Sequence, residues 1–454
     1  MRIIHLTPGT GNFHCGSCHR DNYLMKAMRR RGHDVTMVPL YLPLVTDGEA
    51  PNPDLPVFAG GINLFLKQKL RFFRKSPRWL QRMLDSPMVL RLAAKFMGMT
   101  SARQLGEMTV ESFKGVSGKQ AEDWQTLIDW IGKTGKPEVL SLSNGLLNGL
   151  AVAAQRELGV PVVCSLQGED TFLDTLPEPW REQSWQFFRE NSAAVTRYVA
   201  TSEYYAATMR RRLGVAEEQL VCVRNGLDLT GYERQAKTPE IPVIGYLARQ
   251  CTGKGLHTLV DAFILLAPKL PQVRLAIAGT ATSVDNQYVT QQQRKLKDAG
   301  LWSRVTWKRN LSIEEKLAHL QSLTVLSVPA TYGEAFGLYV VEALACGVPV
   351  VEPDHAGLGE LLRAVGGGLL CIPDDAASLA ERLSEIITDP ALRESLAEEG
   401  HTEVLREFSA ERMARDFERV CEEAGCAGSS VACGESSKHQ APSTKEAPST
   451  KLQM

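Results

Sequence analysis

The 454-residue chain has almost no net charge, because 51 lysines and arginines stand against 52 acids, a formal balance of −1. Proteins that live on nucleic-acid backbones carry a basic excess, so that class of partner is not expected. No stretch approaches about 18 uninterrupted apolar residues, which argues against a bilayer-crossing helix. The opening Met1-Arg2-Ile3-Ile4-His5-Leu6-Thr7-Pro8 is too short an apolar run for a secretory signal, so a cytoplasmic location is expected. Ten cysteines scattered through a chain of this length read as reduced thiols rather than as a disulfide framework. There is no D-x-D pair, and no His/Asp/Glu cluster has metal-ligand spacing around the segments singled out below. No bound metal and no resident cofactor is therefore expected. What the chain does have is ordinary globular material, 44% hydrophobic and 23% charged. Spread over about three common domain lengths, that is enough for at least two cores.

The order of apolar runs predicts an α/β fold. Strands are expected at Arg2–Thr7, Asp34–Leu40, Val139–Leu142, Val162–Leu166, Tyr198–Thr201 and Leu220–Val223. Helices are expected at Cys18–Arg31, Leu146–Leu158, Glu178–Glu190 and Glu203–Leu213 between them. The pattern lapses through Gln235–Glu240 and restarts with strands at Val243–Leu247, Val273–Ala278, Val305–Trp307, Thr324–Val328, Val348–Val351 and Leu369–Ile372. Short buried strands alternating with helices imply parallel sheets covered on both faces. Two doubly wound domains, 1–235 and 241–408, would face each other across a cleft at their strand C-terminal ends. A helix over 409–426 follows, with Ser409 as its N-cap and Arg412 where a capping box would place Glu.

Two segments break the alternation. Residues 57–115 form an insertion in which no acid occurs between Pro56 and Leu84, while Lys67, Lys69, Arg71, Arg74, Lys75, Arg78 and Arg82 stand among Phe65, Phe72, Phe73 and Trp79. This is either a helical excursion with a solvated basic face or a surface, over 64–82, that docks on anionic lipid at the inner face of a membrane or on a charged acceptor. The tail 427–454 repeats Ala441-Pro442-Ser443-Thr444-Lys445 as Ala447-Pro448-Ser449-Thr450-Lys451. It lacks the apolar content for a core and is expected to be disordered.

The most informative stretch runs from Thr331 to Val350 and contains Glu334 and Glu342. Glu334 falls in a strand–helix loop, and Glu342 lies about one and a half turns into the helix that begins near Gly337. Gly337 and Leu338 would present free N–H groups at the helix start, a natural seat for phosphate. Two carboxylates flanking that seat can hold the hydroxyls of two sugar rings. The plainer alternative is a carboxylate complementing the helix dipole plus a solvent-facing glutamate. Upstream, Ala248-Arg249-Gln250-Cys251-Thr252-Gly253-Lys254-Gly255 follows the second domain's first strand. Arg249 and Lys254 there offer a guanidinium fork and a point charge to a diphosphate.

With these residues in view, the chain resembles the family 4 retaining glycosyltransferases of the GT-B fold, from Arg2 to about Ala424 apart from the basic insertion. The likeness is carried by Glu334 and Glu342 as E-x(7)-E, by Ala343-Leu344-Ala345-Cys346-Gly347-Val348-Pro349-Val350-Val351, by Asn225-Gly226-Leu227-Asp228, by Arg249 with Lys254-Gly255, and by Gly366-Gly367-Gly368-Leu369-Leu370. The resemblance implies that Glu334 contacts donor-sugar hydroxyls and Glu342 holds the nucleotide ribose. It implies that Arg249 and Lys254 neutralise the diphosphate, helped by amides near Gly337 and Leu338. Phe336 and Arg309 are further expected donor-binding residues, the latter in Trp307–Asn310, where backbone contacts would select the base. The last helix would pack back across the first domain. The implied reaction is transfer of a hexose-type sugar from a nucleoside-diphosphate sugar to a glycan, lipid-linked or small-molecule acceptor.

Two places depart from the family pattern. Ala248 replaces the glycine before the arginine. Gln167, in Ser165-Leu166-Gln167-Gly168-Glu169-Asp170, occupies the place of a histidine; it can offer a carbonyl and an amide but no acid–base chemistry. Glu169 and Asp170 are alternative carboxylates in that loop, or helix-start caps. The loop after the first strand, with Gly9, Gly11, Asn12 and Gly16, is expected to line the acceptor side of the cleft, with Arg20, Asp21 and Asn22 offering hydrogen bonds. It contains His14-Cys15-Gly16-Ser17-Cys18-His19. A c-type haem there would need export, a zinc site would be crowded by adjacent ligands, and a thioredoxin-like redox pair is no better supported; the plainer alternative to an acceptor loop is that the cysteines simply pack. The same loop lacks the third glycine of G-x-G-x-x-G, which weighs against a dehydrogenase. No Schiff-base lysine motif supports a pyridoxal-dependent phosphorylase. A catalytically inactive, carbohydrate-binding relative is the alternative from a different functional class, and the joint presence of Glu334, Glu342, Arg249 and Lys254 weighs against it.

Overall fold

A computed structural model describes residues 1–9, 16–41, 102–234 and 239–435. Its first parallel sheet is built from β1 (Arg2–Thr7), β2 (Asp34–Pro39), β3 (Val139–Leu142), β4 (Val162–Leu166), β5 (Arg197–Ala200) and β6 (Leu220–Cys222). The second is built from β7 (Val243–Leu247), β8 (Arg274–Ala278), β9 (Val305–Trp307), β10 (Val325–Leu326), β11 (Val350–Pro353) and β12 (Gly368–Cys371). The strand orders are β2-β1-β3-β4-β5-β6 and β12-β11-β10-β7-β8-β9. In each sheet the winding reverses beside the first strand, between β1 and β3 and between β7 and β10. Connections leaving the two sides of such a reversal part from each other and open a crevice at the strand C-termini. That geometry decides where a ligand can go.

The inner strands are short and mostly apolar because they are buried on both faces; β3 and β4 are buried along their whole length. The helix Gly16–Arg30 lies against the first sheet and also meets the last helix, Ala410–Glu435. Met413, Phe417 and Cys421 on that last helix are fully buried. Arg30 pairs with Glu411 at 2.6 Å, His33 with Glu418 at 2.8 Å, and Arg31 also reaches Glu418. The hinge strand is held just as firmly: Leu227 N–H donates to Phe408 O at 2.8 Å and Ala410 N–H to Leu227 O at 2.7 Å. Gly226 has to be a glycine there, since a Cβ would sit 2.2 Å from the Ser409 carbonyl oxygen. Ser409 Oγ accepts from Arg412 N at 3.2 Å, the cap expected from its sequence.

The structure corrects the sequence reading in three places. The helix expected over Leu146–Leu158 is divided into a 3-10 turn (Gly145–Leu147), a short α-helix (Gly149–Ala153) and a π turn (Ala154–Leu158). Tertiary contacts override local preference there, because the buried Asn148 side chain donates to Phe188 O at 3.0 Å and to the Tyr198 hydroxyl at 3.3 Å. The end of the insertion, expected as a helical excursion within the first domain, is packed into that domain's core: Ala102–Phe113 is a helix whose buried Phe113 packs on Phe188 with ring centres 5.2 Å apart. The last helix continues to Glu435, past the start of the expected disorder at Ala427. Once a helix is docked, each further residue adds a backbone bond without a new nucleation cost. The basic segment 64–82 and the residues beyond Glu435 lie outside the described residues, and no described helix is long and apolar enough to cross a membrane.

Docking of the last helix is expected to be worth a measurable share of the stability. Phe417→Ala removes a fully buried ring and should lower the unfolding free energy by about 3–5 kcal/mol in chemical denaturation. A loss below about 1 kcal/mol would mean that the helix is not packed as described.

Candidate active site

Segments leaving the C-terminal ends of both sheets line one cavity of about 400 Å³. The first domain contributes Gly16, Ser17 and His19 after β1, Gln167 after β4, Thr201 after β5 and Asn225 after β6. The second contributes Arg249 and Lys254 after β7, Thr280 after β8, Lys316 from the Ile313–Gln321 helix, and Glu334 to Glu342 after β10.

At its centre Lys254 Nζ contacts Glu334 Oε2 in a short ion pair, with side-chain exposures of 18% and 15%. The Tyr332 hydroxyl donates to the same Glu334 oxygen at 3.0 Å. The ammonium also lies 5.2 Å from the centres of both the Tyr332 and Tyr339 rings. Burial alone would lower the Lys254 pKa, but Glu334 and Tyr332 outweigh it and hold the amine above its ordinary value, fully charged. Arg249 is fixed by a two-point contact, Nε to Asp285 Oδ2 at 3.0 Å and an Nη to Oδ1 at 3.1 Å. Asp285 is in turn held below the usual carboxylate range, burial being overcome by Arg249 and Thr282.

The second glutamate has its own cation. Glu342 is 8% exposed, accepts from Lys316 Nζ at 2.7 Å and from the Tyr232 hydroxyl at 3.1 Å, and faces the cavity rather than bulk solvent. The Leu338–Ala345 helix that carries it starts at Gly337, whose φ of 95° is left-handed and suits glycine. Gly337 and Leu338 therefore bring the helix start, with its positive dipole end, to the cavity wall.

Behind the lining residues Gln167 and Asn225, on the first-domain side, lies a buried polar network. Asp21 accepts from Arg20 Nη1 at 3.0 Å and from the Ser143 hydroxyl, and lies 3.5 Å from His5 Nε2. Arg20 reaches on to Ser165 Oγ at 3.1 Å and Asn225 Oδ1 at 3.2 Å. Burial raises the Asp21 pKa, but His5, Arg20 and Ser143 together bring it below the ordinary value. Gln167 Nε2 donates to Ser143 O at 2.6 Å and to Asp21 Oδ1 at 3.4 Å. Both partners are acceptors, so the amide orientation is fixed by chemistry and Oε1 is the atom left to accept a hydrogen bond from the cavity.

Of the residues singled out in the sequence, Glu334, Arg249, Lys254, Glu342, Gly337, Leu338, Phe336 and Gln167 all line this cavity. Phe336 does so with a buried ring packed on Phe408 at 6.1 Å between centres. Others do not reach it. Arg309 is exposed and points to Asn286 Oδ1 at 3.4 Å, outside the lining. Glu169 is turned inward, where it accepts from Gly145 N and Gln167 N, each at 2.8 Å, and from the Tyr205 hydroxyl at 2.8 Å; it ties loops together. Asp170 is likewise outside the lining, half-buried beside Tyr205 and Arg212, and burial raises its pKa. Arg20, Asp21 and Asn22, expected to offer hydrogen bonds, are buried in the Gly16–Arg30 helix outside the lining. Gly9 leaves β1 with φ 86°, whereas Gly11, Asn12, His14 and Cys15 lie outside the described residues; Cys18 is buried in the helix. Among the described residues no group of three His, Cys, Asp or Glu side chains could hold a metal ion. Lys316, Tyr232 and Asp285 were not foreseen. Ser312 and Glu315 form a capping box that marks the start of the Lys316 helix, but nothing local says what Lys316 meets.

Comparison with known proteins follows the same division into halves. The family described as "Glycosyl transferase 4-like domain" matches residues 21–226, and "Glycosyl transferases group 1" matches residues 232–403. The chain belongs to the group 1 glycosyltransferases. This transferase is 26% identical to the glycogen synthase of Mycobacterium tuberculosis over 296 residues, 62% of this chain and 67% of that one. It is 29% identical to the phosphatidyl-myo-inositol mannosyltransferase of Mycobacterium leprae over 204 residues, 45% of this chain and 51% of that one. The transferase superposes on Anabaena HepE in complex with UDP with a TM-score of 0.66 at 17% identity, covering 93% of this chain and all (100%) of that one. With sucrose-phosphate synthase of Thermosynechococcus elongatus the TM-score is 0.67 at 19% identity, covering 94% and 99%. The fold is GT-B.

The helix that carries Lys316 also carries a buried base. His319 is 7% exposed, with Nε2 3.3 Å from the Tyr246 carbonyl oxygen, and burial lowers its pKa from 6.5 to about 4. A depressed histidine stays neutral in the fold while the unfolded chain takes up a proton. Stability should therefore be unaffected above about pH 7 and fall between pH 6.5 and 4, by roughly 3 kcal/mol in full. Denaturation midpoints measured across that range should flatten in His319→Gln; an unchanged slope would contradict the assignment.

Proposed function

We propose that this glycosyltransferase moves a hexose-type sugar, with retention and without a metal ion, from a nucleoside-diphosphate sugar to a hydroxyl of a glycan, lipid-linked or small-molecule acceptor. The observation that carries the reading is the Lys254–Glu334 pair, set beside Arg249 in a cavity to which both domains contribute. As the anomeric C–O bond breaks, negative charge grows on the departing diphosphate and positive charge on the sugar. Fixed cations and helix-start amides aimed at the first, and a carboxylate beside the second, are worth most where water is excluded. Arg249 is locked by Asp285 and Lys254 by two tyrosine rings, so little reorganisation is needed when the charge develops. Lys254 and Arg249 then do the neutralising work that a divalent ion does elsewhere. On this reading Glu342, buried with Lys316 and Tyr232, accepts from ribose hydroxyls. Gln167 Oε1, its amide end spent on Ser143, accepts from a sugar hydroxyl on the facing wall in this reading. UDP in the HepE complex and the glycogen and phosphatidylinositol acceptors in the relatives' names fit this donor and acceptor range.

A panel of UDP- and GDP-linked sugars, scored for donor turnover in EDTA with candidate acceptors, tests the reading. One donor should be consumed with EDTA present, Glu334→Ala and Lys254→Ala should each lose at least about 100-fold in kcat, and product NMR should show the donor's anomeric configuration kept. Strict dependence on added Mg²⁺ or Mn²⁺, or inversion, would overturn the corresponding part.

A further inference from the structure

The loop that bears Glu334 is held from the opposite domain. The carbonyl oxygen of Ala335, the next residue, accepts from Ser202 Oγ at 2.6 Å and from Thr201 Oγ1 at 3.3 Å. Ser202 is the N-cap of the Glu203–Leu213 helix, and its oxygen also accepts from Tyr205 N at 3.1 Å. Its single hydroxyl proton thus goes across the cleft while its lone pair serves its own helix. The next two amides of that helix are satisfied from the second domain. Glu360 Oε1 accepts from Glu203 N at 3.1 Å and Oε2 from Tyr204 N at 2.7 Å, with Arg224 at 3.8 Å from the same carboxylate. A carboxylate at a helix N-terminus is favoured by the orphan amides and by the dipole. Glu360 belongs to the Ala356–Val365 helix, whose Gly357 N–H donates to the Glu334 carbonyl at 3.0 Å. The carbonyls of residues 334 and 335 are therefore clamped, one from within the domain and one from across the cleft.

We propose that Ser202 and Glu360 form a latch between the domains that positions Glu334 for reaction. When the domains part, the Ala335 carbonyl loses its hydroxyl partners and Glu203 and Tyr204 lose their acceptor. The Lys254–Glu334 pair then keeps its charges but loses one of the two anchors of its loop. Seating of the loop and shutting of the cleft become one event. The catalytic consequence rests on the glycosyltransfer reading above; the latch itself does not.

Residue-resolved hydrogen exchange tests the latch without any substrate. Glu360→Ala should speed exchange of the Glu203 and Tyr204 amides by at least about tenfold while Tyr205, capped by Ser202, stays protected. Wild-type exchange at both amides in Glu360→Ala would overturn the latch. Steady-state kinetics with the accepted nucleotide sugar tests its effect on Glu334. Ser202→Ala should lower kcat by about tenfold with donor KM within about twofold, and Ser202→Thr should restore it. Wild-type kcat in Ser202→Ala, or a loss that Ser202→Thr does not rescue, would overturn the positioning role. If the wild-type enzyme turned over no nucleotide sugar, the reading of the reaction would fall, and the exchange experiment would still decide the latch.

Discussion

The constraint on which the site depends is a lysine ammonium kept charged in a mostly enclosed place. Lys254 has few ways to be there: it needs a carboxylate in contact, which Glu334 supplies, and polarisable faces around it, which Tyr332 and Tyr339 supply. Removing either partner of such a pair leaves the other charge uncompensated. The pair also joins two segments 80 residues apart, one after β7 and one after β10. Those strands are adjacent because the sheet reverses its winding between them. Topology brings the cation and the anion together, and their attraction then ties the 3-10 turn Thr252–Lys254 to the loop that carries Glu334.

Charge pairing recurs around the cavity in the same form. Arg249 with Asp285, Lys316 with Glu342, and Arg20 with Asp21 each place a basic group against an acid that is mostly buried. A cavity lined by paired charges is rigid before a ligand arrives. An incoming diphosphate or hydroxyl meets oriented groups instead of flexible ones, which is how preorganisation lowers the cost of binding. Gln167 shows the same economy: a neutral amide is aimed by a carbonyl and a carboxylate, so one oxygen is presented and the donor end is spent.

Much of this was legible in the sequence, for identifiable reasons. β1, β3, β4 and β7 occur at the expected bounds because short apolar runs between helices have one stable place, the middle of a parallel sheet, and the edge strand β9 keeps its expected bounds as well. The Glu203–Leu213 helix coincides with its expectation because Ser202 and Gly214 mark its ends locally. Glu334, Glu342, Arg249 and Lys254 were found through spacing and family likeness. What could not be read were partners fixed only by tertiary approach. Lys316 on Glu342 and Asp285 on Arg249 come from elements that carry no local mark of their destination. Glu169 and Arg309 failed for the converse reason: a polar residue in a loop near a cleft can point either way, and backbone amides captured the first while Asn286 took the second.

On the proposed reading, Lys254 is a preorganised receptor for a donor's diphosphate. Calorimetric titration of UDP and GDP, with uridine and guanosine as controls, into wild type and Lys254→Ala tests it most directly. One diphosphate should bind wild type at least about tenfold more tightly than its nucleoside, and Lys254→Ala should remove most of that difference while leaving the nucleoside unchanged. Binding of the diphosphate by Lys254→Ala as tightly as by wild type would contradict it.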